Sequence, residues 1–414
     1  MRSDGGGGAD AAHVLVLSWD FAPFDSSLSR RARALAVAAV GSGAEVTVVT
    51  VDRPPGPDAP GHDPSLAGGL DGVAVVTVVD DHPDLHQEID AWSRERAVDP
   101  AGWRDEWLAR ASAGFDEPGY GHLLSALIDG AAAVHAEHAV DVVVALSAPM
   151  VTAVAALEVA QRCGARLVID LARVGADRLH LPDPRVALAL SAAEMLSVPD
   201  ASTRERLGAV LPDRADEAWL VPDSIDDLVD AGTAASRRDG PLRVGAFVEP
   251  DAWGDLTEVV EGWIAARLGD PALADAELLV HGRPPADETP RIVLGQGAAH
   301  GVTLEASPPV AELAGLHRSL DLLVVASRGD LPAGRTTDHL RAGRPIVWCT
   351  AEPPAEDHAL NGFAHVLRSD DLSSEALAAA FSAAVRLEPS AVRVPQPTSP
   401  WPDVVRTMLA EVAP

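Results

Sequence analysis

The 414-residue sequence contains no lysine, so all 32 of its basic side chains are arginines. Against 62 acidic side chains they leave a formal net charge of −30. A chain this acidic repels phosphate backbones and anionic lipid headgroups, and we therefore expect it to bind neither nucleic acid nor a membrane surface. Without lysine, any phosphate site must be built from arginine, backbone N–H groups or helix N-termini.

Cysteine and long apolar runs are also scarce. Cys163 and Cys349 lie far apart and have no metal-ligand spacing, which is typical of reduced residues in a cytoplasmic protein. No apolar run reaches the roughly 18 residues of an integral membrane segment. Residues 1–12 are polar and Gly-rich, and we expect a disordered leader rather than a secretion signal.

The motifs of two common site classes are missing as well. The 14 histidines show no His-Glu-x-x-His or Cys/His spacing, so the sequence predicts no metal site. No strand-to-helix turn carries Gly-x-Ser-x-Gly, which excludes the nucleophile elbow of an α/β-hydrolase.

Short apolar segments alternate with segments of helical spacing. Residues 13–18, HVLVLS, are typical of a buried parallel strand, 30–41 of a helix and 45–51 of a second strand. The alternation restarts at residue 243 after the polar stretch 223–239. A chain of this length exceeds one hydrophobic core, so two successive Rossmann-like α/β domains with parallel sheets are predicted.

We place the N-terminal domain at 13–226, the C-terminal domain at 240–400 and a last helix at 401–414. Ligands of open parallel sheets bind at the carboxyl ends of the strands, so a cleft between the domains is the expected site. Trp92, Trp103 and Trp107 have two interpretations: they line an acceptor site, or they pack beneath an inserted helix.

Residues 330–347, DLPAGRTTDHLRAGRPIV, form the most specific motif of the chain. Asp330 and Asp338 are separated by seven residues, and Gly343 with the following Pro and Val precedes an apolar strand. This segment resembles the donor-binding segment of family 4 retaining GT-B glycosyltransferases, in which two glutamates at the same separation precede Gly-x-Pro-Val-Val.

Weaker stretches agree with this family in chain order. Residues 221–226, VPDSID, resemble the Ile-Pro-Asn-Gly-Val-Asp that ends the family's first domain. Pro400-Trp401 resembles the Ser-Trp that opens the family's last helix. The resemblance spans nearly the whole chain. It implies two facing Rossmann-like domains, with a C-terminal helix that crosses back to the first.

The resemblance also implies roles for three side chains. Asp338 would bind the ribose hydroxyls of a nucleotide-diphosphate sugar, because a carboxylate accepts two strong hydrogen bonds. Asp330 would lie beside the donor sugar as the catalytic residue, and Arg335 would neutralise the diphosphate leaving group. The alternative interpretation makes both aspartates solvated loop and helix-cap residues, and Arg335 a surface charge.

Other donor-binding positions depart from the family pattern. The family has an arginine after the first glycine of the second domain and a lysine several residues later, whereas here Gly245 is followed by alanine and no lysine exists. Arg283 is the substitute candidate. Ser26 and Ser27 replace a glycine pair, and serine tolerates positive φ less well. We assign these residues and Gly343 to donor binding.

Three functions are compatible with these residues. The first is a transferase that moves a sugar from a nucleotide-diphosphate donor to a small-molecule, glycan or lipid-linked acceptor, with retention and without a further cofactor. The second is a catalytically weakened pseudo-enzyme that acts as a binding partner, which the lost phosphate-binding residues favour. The third is an epimerase on the same double fold. The sugar, base, acceptor and oligomeric state stay open, because specificity resides in variable loops.

Overall fold

The computed structural model describes most of the chain. The described residues are 11–52, 61–79, 92–112, 120–147, 149–171, 183–222, 240–248, 253–282, 288–306, 308–327, 338–350, 360, 363–369, 371–387 and 401–410. Their contacts divide into two compact units. Unit 1 lies within Met1–His62, Ala67–Pro222 and Ser399–Pro414, and unit 2 lies within Asp63–Leu66 and Asp223–Thr398.

Unit 1 is built on a parallel sheet, seven-stranded in its described part, with the order β5-β3-β1-β6-β7-β8-β9. Its strands are β1 (His13–Ser18), β3 (Glu45–Asp52), β5 (Val73–Val79), β6 (Val142–Leu146), β7 (Arg166–Asp170), β8 (Met195–Val198) and β9 (Trp219–Leu220). Two short strands pair antiparallel beside it, β2 (Phe24–Asp25) and β4 (Gly61–His62). All six residues of β1 are buried, because helices cover both faces of a central parallel strand.

Helices connect these strands. They are α1 (Ser27–Gly41), α2 (Arg94–Val98), α3 (Pro100–Ser112), α4 (Leu124–Glu137), α5 (Val151–Cys163), α6 (Pro184–Ala192), α7 (Ala201–Val210) and α8 (Pro212–Ala215). Helix α1 begins at Ser27 because the Ser26 hydroxyl accepts a hydrogen bond from the Ser29 amide and caps the first turn. Helix α5 ends at Gly164, whose φ of 69° suits glycine.

Unit 2 repeats this arrangement around a sheet that is six-stranded in its described part, with the order β12-β11-β10-β13-β14-β15. Its strands are β10 (Arg243–Phe247), β11 (Glu277–His281), β12 (Val302–Glu305), β13 (Leu322–Ser327), β14 (Ile346–Thr350) and β15 (Val366–Arg368), all parallel. Its helices are α9 (Trp253–Gly269), α10 (Glu288–Ala298), α11 (Val310–Ser319) and α12 (Ser374–Ala384). Residues 338–341 are also helical.

A close helix pair organises the core of unit 2. The rings of Trp263 on α9 and Phe381 on α12 meet edge to face, with centroids 5.5 Å apart. Gly262 allows this approach, because a Cβ atom there would lie 2.4 Å from Cβ of Leu377. The missing side chain therefore sets how closely α9 and α12 pack.

The last helix, α13 (Trp401–Ala410), belongs to unit 1. Trp401, Val404, Val405 and Met408 are buried in that unit's core. The prediction of two Rossmann-like units with a final helix returning to the first is thereby confirmed. Within the described residues, no helix is both long and apolar enough to cross a membrane.

Candidate functional site

Four rings form a cluster at the carboxyl end of the unit 2 sheet. Phe247, the last residue of β10, stacks on His281, the last residue of β11, with ring centroids 4.9 Å apart. It meets His317 of α11 edge-on at 4.6 Å and His339 edge-on at 5.3 Å. The ring centroids of His317 and His339 lie 5.0 Å apart. This histidine cluster therefore joins α11 and the helical residues 338–341 to the strand ends.

Asp338 lies beside the histidine cluster in sequence and is buried, with 2% of its surface exposed. Its backbone carbonyl accepts a hydrogen bond from the Ala342 amide, which begins the short helix. The ring contact of the adjacent His339 with Phe247 anchors this turn at the carboxyl end of β10. The interpretation of Asp338 as a solvated side chain is therefore wrong.

Three of the other sequence-predicted residues, Asp330, Arg335 and Arg283, lie outside the described residues. Two predicted glycines have visible structural roles. Gly245 lies in the middle of β10, where a Cβ atom would approach Cδ1 of Leu320 to 2.3 Å. Gly343 has a φ of 62°, a left-handed conformation that turns the chain between the helical residues 338–341 and β14.

Ser26 and Ser27 open helix α1 in unit 1. Ser26 has an extended backbone, with φ −136° and ψ 159°, and its hydroxyl caps the helix. This is an ordinary N-cap rather than the left-handed turn that a glycine pair permits. The helix N-terminus still presents backbone N–H groups, which is the part of a phosphate site that needs no lysine.

A cavity of about 620 Å³ opens at the carboxyl ends of β11 and β12. His281 and Glu305 line it from the strand ends, and Ala311, Glu312 and Arg318 line it from α11. Its volume is in the range of pockets that hold nucleotide-sized ligands. The residues that form it have no recognisable spacing in the sequence, since strand ends and a helix face meet there only in the fold.

His281 is the buried polar group of this cavity. Burial holds the pKa of its imidazole below the usual value, which is opposed in part by the Ala306 carbonyl and by Glu305. Its Nε2 atom is buried and has no hydrogen-bond partner among the described residues. In a neutral imidazole, Nε2 either donates or accepts a hydrogen bond, depending on the tautomer, so this atom of His281 could bind a polar group of a ligand.

Asp170 ends strand β7 in unit 1, and the structure gives it a partner that the sequence did not reveal. Its carboxylate is buried and receives two hydrogen bonds from Arg31 of α1. Its charge is therefore used inside unit 1.

Trp92, just before α2, and the two tryptophans of α3 pack against other side chains. The Arg96 guanidinium packs on two indole rings, 4.3 Å from the centroid of Trp92 and 4.4 Å from that of Trp103. Trp107 is buried and meets His122 edge to face. Of the two interpretations of these residues, the structure therefore favours packing over an acceptor site.

No protein-family model matches the chain, and a search of the curated proteins finds no match either. Solved structures do match it over nearly its whole length. A UDP-forming α,α-trehalose-phosphate synthase from Burkholderia vietnamiensis aligns with TM-score 0.62 at 13% identity, covering 98% of this chain and 100% of that one. HepE from Anabaena, solved in complex with UDP, aligns with TM-score 0.59 at 12% identity, covering 97% of each chain.

A third similar structure is the UDP-GlcNAc 2-epimerase from Methanocaldococcus jannaschii. It aligns with TM-score 0.57 at 9% identity, covering 97% of this chain and 99% of that one. The chain thus has the GT-B fold of these structures, with which its two parallel-sheet units and returning helix agree. Because transferases and an epimerase share this fold, the reaction has to be argued from the site.

Proposed function

We propose that the chain is a glycosyltransferase that takes a sugar from a nucleotide-diphosphate donor bound by unit 2. The observation that carries this proposal is the burial of Asp338 beside the histidine cluster, at the same end of the sheet as the 620 Å³ cavity. A buried carboxylate at the carboxyl ends of parallel strands suits the paired hydroxyls of a ribose.

The charges of the cavity favour a base over a phosphate. Glu305 and Glu312 line it together with Arg318, so its acidic side chains repel a diphosphate and can accept hydrogen bonds from base N–H groups. We assign the nucleobase to this cavity and the ribose to Asp338. Asp330 and Arg335 stay the candidates for the donor sugar and the diphosphate.

Two of the similar proteins support the donor class through their link to UDP. One of them is UDP-forming, and the other was solved with UDP. We infer transfer with retention to a small-molecule, glycan or lipid-linked acceptor, without a further cofactor. We place the reaction in the cytoplasm, since Cys163 and Cys349 are both free thiols.

Thermal unfolding in the presence of UDP, GDP, TDP and their sugars tests the donor proposal. A ligand that binds the folded protein stabilises it by about 2.7 kcal/mol at 100 times its dissociation constant. We expect saturable stabilisation by one nucleotide series and its loss in Asp338→Ala. Asp275→Asn, a change at an exposed acid of the same unit, should keep the response. A flat response to every nucleotide would contradict the proposal.

The pseudo-enzyme is the second candidate, and a specific observation favours it. The residue after Gly245 is Ala246 rather than a basic one, and Ser26 forms an N-cap where the family has a glycine pair. A pseudo-enzyme of this kind neither hydrolyses nor transfers the sugar, and acts as a binding or interaction partner. Release of nucleoside diphosphate from the donor, measured with and without acceptor mixtures, separates the two. Conversion of the donor into an epimeric sugar nucleotide would identify the third alternative.

A further inference from the structure

Three side chains that are remote in sequence meet at the amino end of the unit 1 sheet. His13 begins β1, Glu45 begins β3, and His138 follows the last residue of α4. A ring nitrogen of each histidine and a carboxylate oxygen of Glu45 all lie within 4.8 Å of one another. Because His13 and Glu45 are register partners in adjacent strands, the sheet itself holds two of the three groups together.

His13 is already oriented as metal-binding histidines are. It is buried, and its Nδ1 lies 3.1 Å from the carbonyl oxygen of Ala139. A carbonyl can only accept, so Nδ1 carries the proton and donates. A hydrogen bond from the other ring nitrogen to a backbone carbonyl is the usual way in which a ligating histidine is held in position.

The remaining nitrogen of His13 carries a lone pair. Its Nε2 lies 2.9 Å from the hydroxyl of Thr47, which donates to it. A hydroxyl rotates freely and can turn its proton elsewhere when a cation takes this lone pair. The imidazole is thus available to a metal ion once the Thr47 hydroxyl turns away.

Glu45 and His138 can complete the coordination. Their side chains are 44% and 57% exposed, and His138 Nδ1 lies 2.7 Å from Glu45 Oε1. Such an exposed side-chain hydrogen bond contributes little to stability and is easily exchanged. Ligand atoms around tetrahedral zinc are about 3.3 Å apart, given bonds of about 2.0 Å. The ligand atoms already lie within 4.8 Å of one another, so rotations of these two exposed side chains can adjust their separations to this value.

We propose that His13, Glu45 and His138 form a Zn²⁺ site that ties the amino ends of β1 and β3 to the end of α4. Two imidazoles and one carboxylate are a ligand set that zinc accepts, with water in the fourth position. Magnesium and calcium prefer oxygen ligands and do not suit it. The site lies at the edge of the sheet opposite the strand carboxyl ends, so its role is to stabilise unit 1.

A spacing-based search could not detect this site. The ligands are residues 13, 45 and 138, and metal motifs are recognised by ligands a few positions apart. The expectation of no metal site was therefore based on local sequence spacing alone. The proposal is independent of donor binding, because no residue of unit 2 takes part.

Calorimetric titration of the metal-depleted protein with Zn²⁺ at physiological salt tests the proposal. We expect one site per chain, at least about tenfold weaker in His138→Asn and in Glu45→Gln, since losing even a group that only orients a ligand has an effect of this size. His300→Asn is the matched control, because this histidine lies in unit 2 after α10. Circular dichroism should show that each variant is folded, because the side chains of His138 and Glu45 are exposed.

Two further measurements distinguish a specific Zn²⁺ site from nonspecific attraction of cations to a protein of net charge −30. Zn²⁺ should raise the midpoint of thermal unfolding of the unmodified chain but not of His138→Asn, and Mg²⁺ should raise neither. Co²⁺ should show the intense visible absorption of a tetrahedral site. Equal Zn²⁺ affinity in the unmodified chain and His138→Asn, or an equal loss in His300→Asn, would overturn the proposal.

Discussion

Arg31 and Asp170 form a buried, bidentate ion pair although 139 positions separate them. Arg31 Nε lies 2.6 Å from Oδ2, and its Nη2 lies 2.9 Å from Oδ1. Nη2 also donates to the carbonyl of Val221 at 2.9 Å, and the guanidinium lies 4.9 Å from the centroid of the Trp401 ring. One side chain thus joins α1, the end of β7, the residue after β9 and the start of α13.

We predict that Arg31→Met destabilises unit 1 by about 3–5 kcal/mol, because it leaves the Asp170 charge buried without its partner. Urea denaturation measures this change in the free energy of unfolding. Arg162→Met is the matched control, since that arginine pairs with Glu158 on the exposed face of α5. There the expected change is within about 0.5 kcal/mol. Similar effects of the two substitutions would contradict the prediction.

The double variant Arg31→Met with Asp170→Leu provides a second test of the same pair. Replacing both charges by apolar groups removes the desolvation penalty together with the attraction. The double variant should therefore lose much less free energy of unfolding than the two single variants lose together. Additive costs would show that the two side chains do not stabilise the fold through each other.

Buried histidines predict a loss of stability in mild acid. Burial lowers the pKa of His281 and of His365 below the usual 6.5. Between that value and the lower folded-state values the unfolded chain binds more protons, so the free energy of unfolding falls as the pH falls. Stability is fully present above about pH 6.5, where both states are neutral. Thermal unfolding between pH 7.5 and 5 measures the slope.

Variants assign this slope to the two residues. His281→Asn or His365→Asn should make it shallower, whereas His300→Asn should leave it unchanged. The carboxylates of Asp270 and Asp371, whose pKa values are lowered by hydrogen bonds from the neighbouring backbone and side chains, contribute only as the pH falls through about 4. An identical slope in all variants between pH 7.5 and 5 would contradict the assignment.

Replacing two glycines of unit 2 by alanine should change the free energy of unfolding in opposite directions, because only one of them lies where α9 and α12 approach closely. Gly262→Ala places a Cβ atom 2.4 Å from Cβ of Leu377 and should destabilise unit 2 by about 1–3 kcal/mol. Gly295→Ala, in α10 with no atom within 4 Å of the new Cβ, should stabilise it by about 0.5–1 kcal/mol. The unfolding free energies of both variants check this, and a stabilising Gly262→Ala would refute the packing argument.

The proposed ribose contact predicts an affinity change of definite size. Asp338→Asn keeps the shape of a side chain that is buried but removes its charge. A hydrogen bond to a charged group is worth about 1.5–3 kcal/mol, so the dissociation constant of the preferred nucleotide should rise roughly 10- to 150-fold. Calorimetric titration measures it, with Asp275→Asn as control. Unchanged affinity would show that Asp338 does not bind the ribose.

The order of helices and strands was predictable from local patterns. The apolar run of β1, the helical spacing of α1 and the glycine after α5 each describe a segment by itself. Collinear motifs from 221–226 to Trp401 then indicated the double Rossmann arrangement with its returning helix. The helix α1 begins three residues before the predicted start at 30, because the Ser26 hydroxyl supplies a cap that hydrophobic spacing does not register.

The sequence by itself determined which segments become strands and helices, because that choice depends on neighbours within a few positions. The tertiary structure alone decided that Asp170 pairs with Arg31, that Asp338 is buried, and that His13, Glu45 and His138 converge. Each of these facts depends on the pairing order of parallel strands, which brings distant residues to one edge of a sheet. Sequence spacing carries no record of that order.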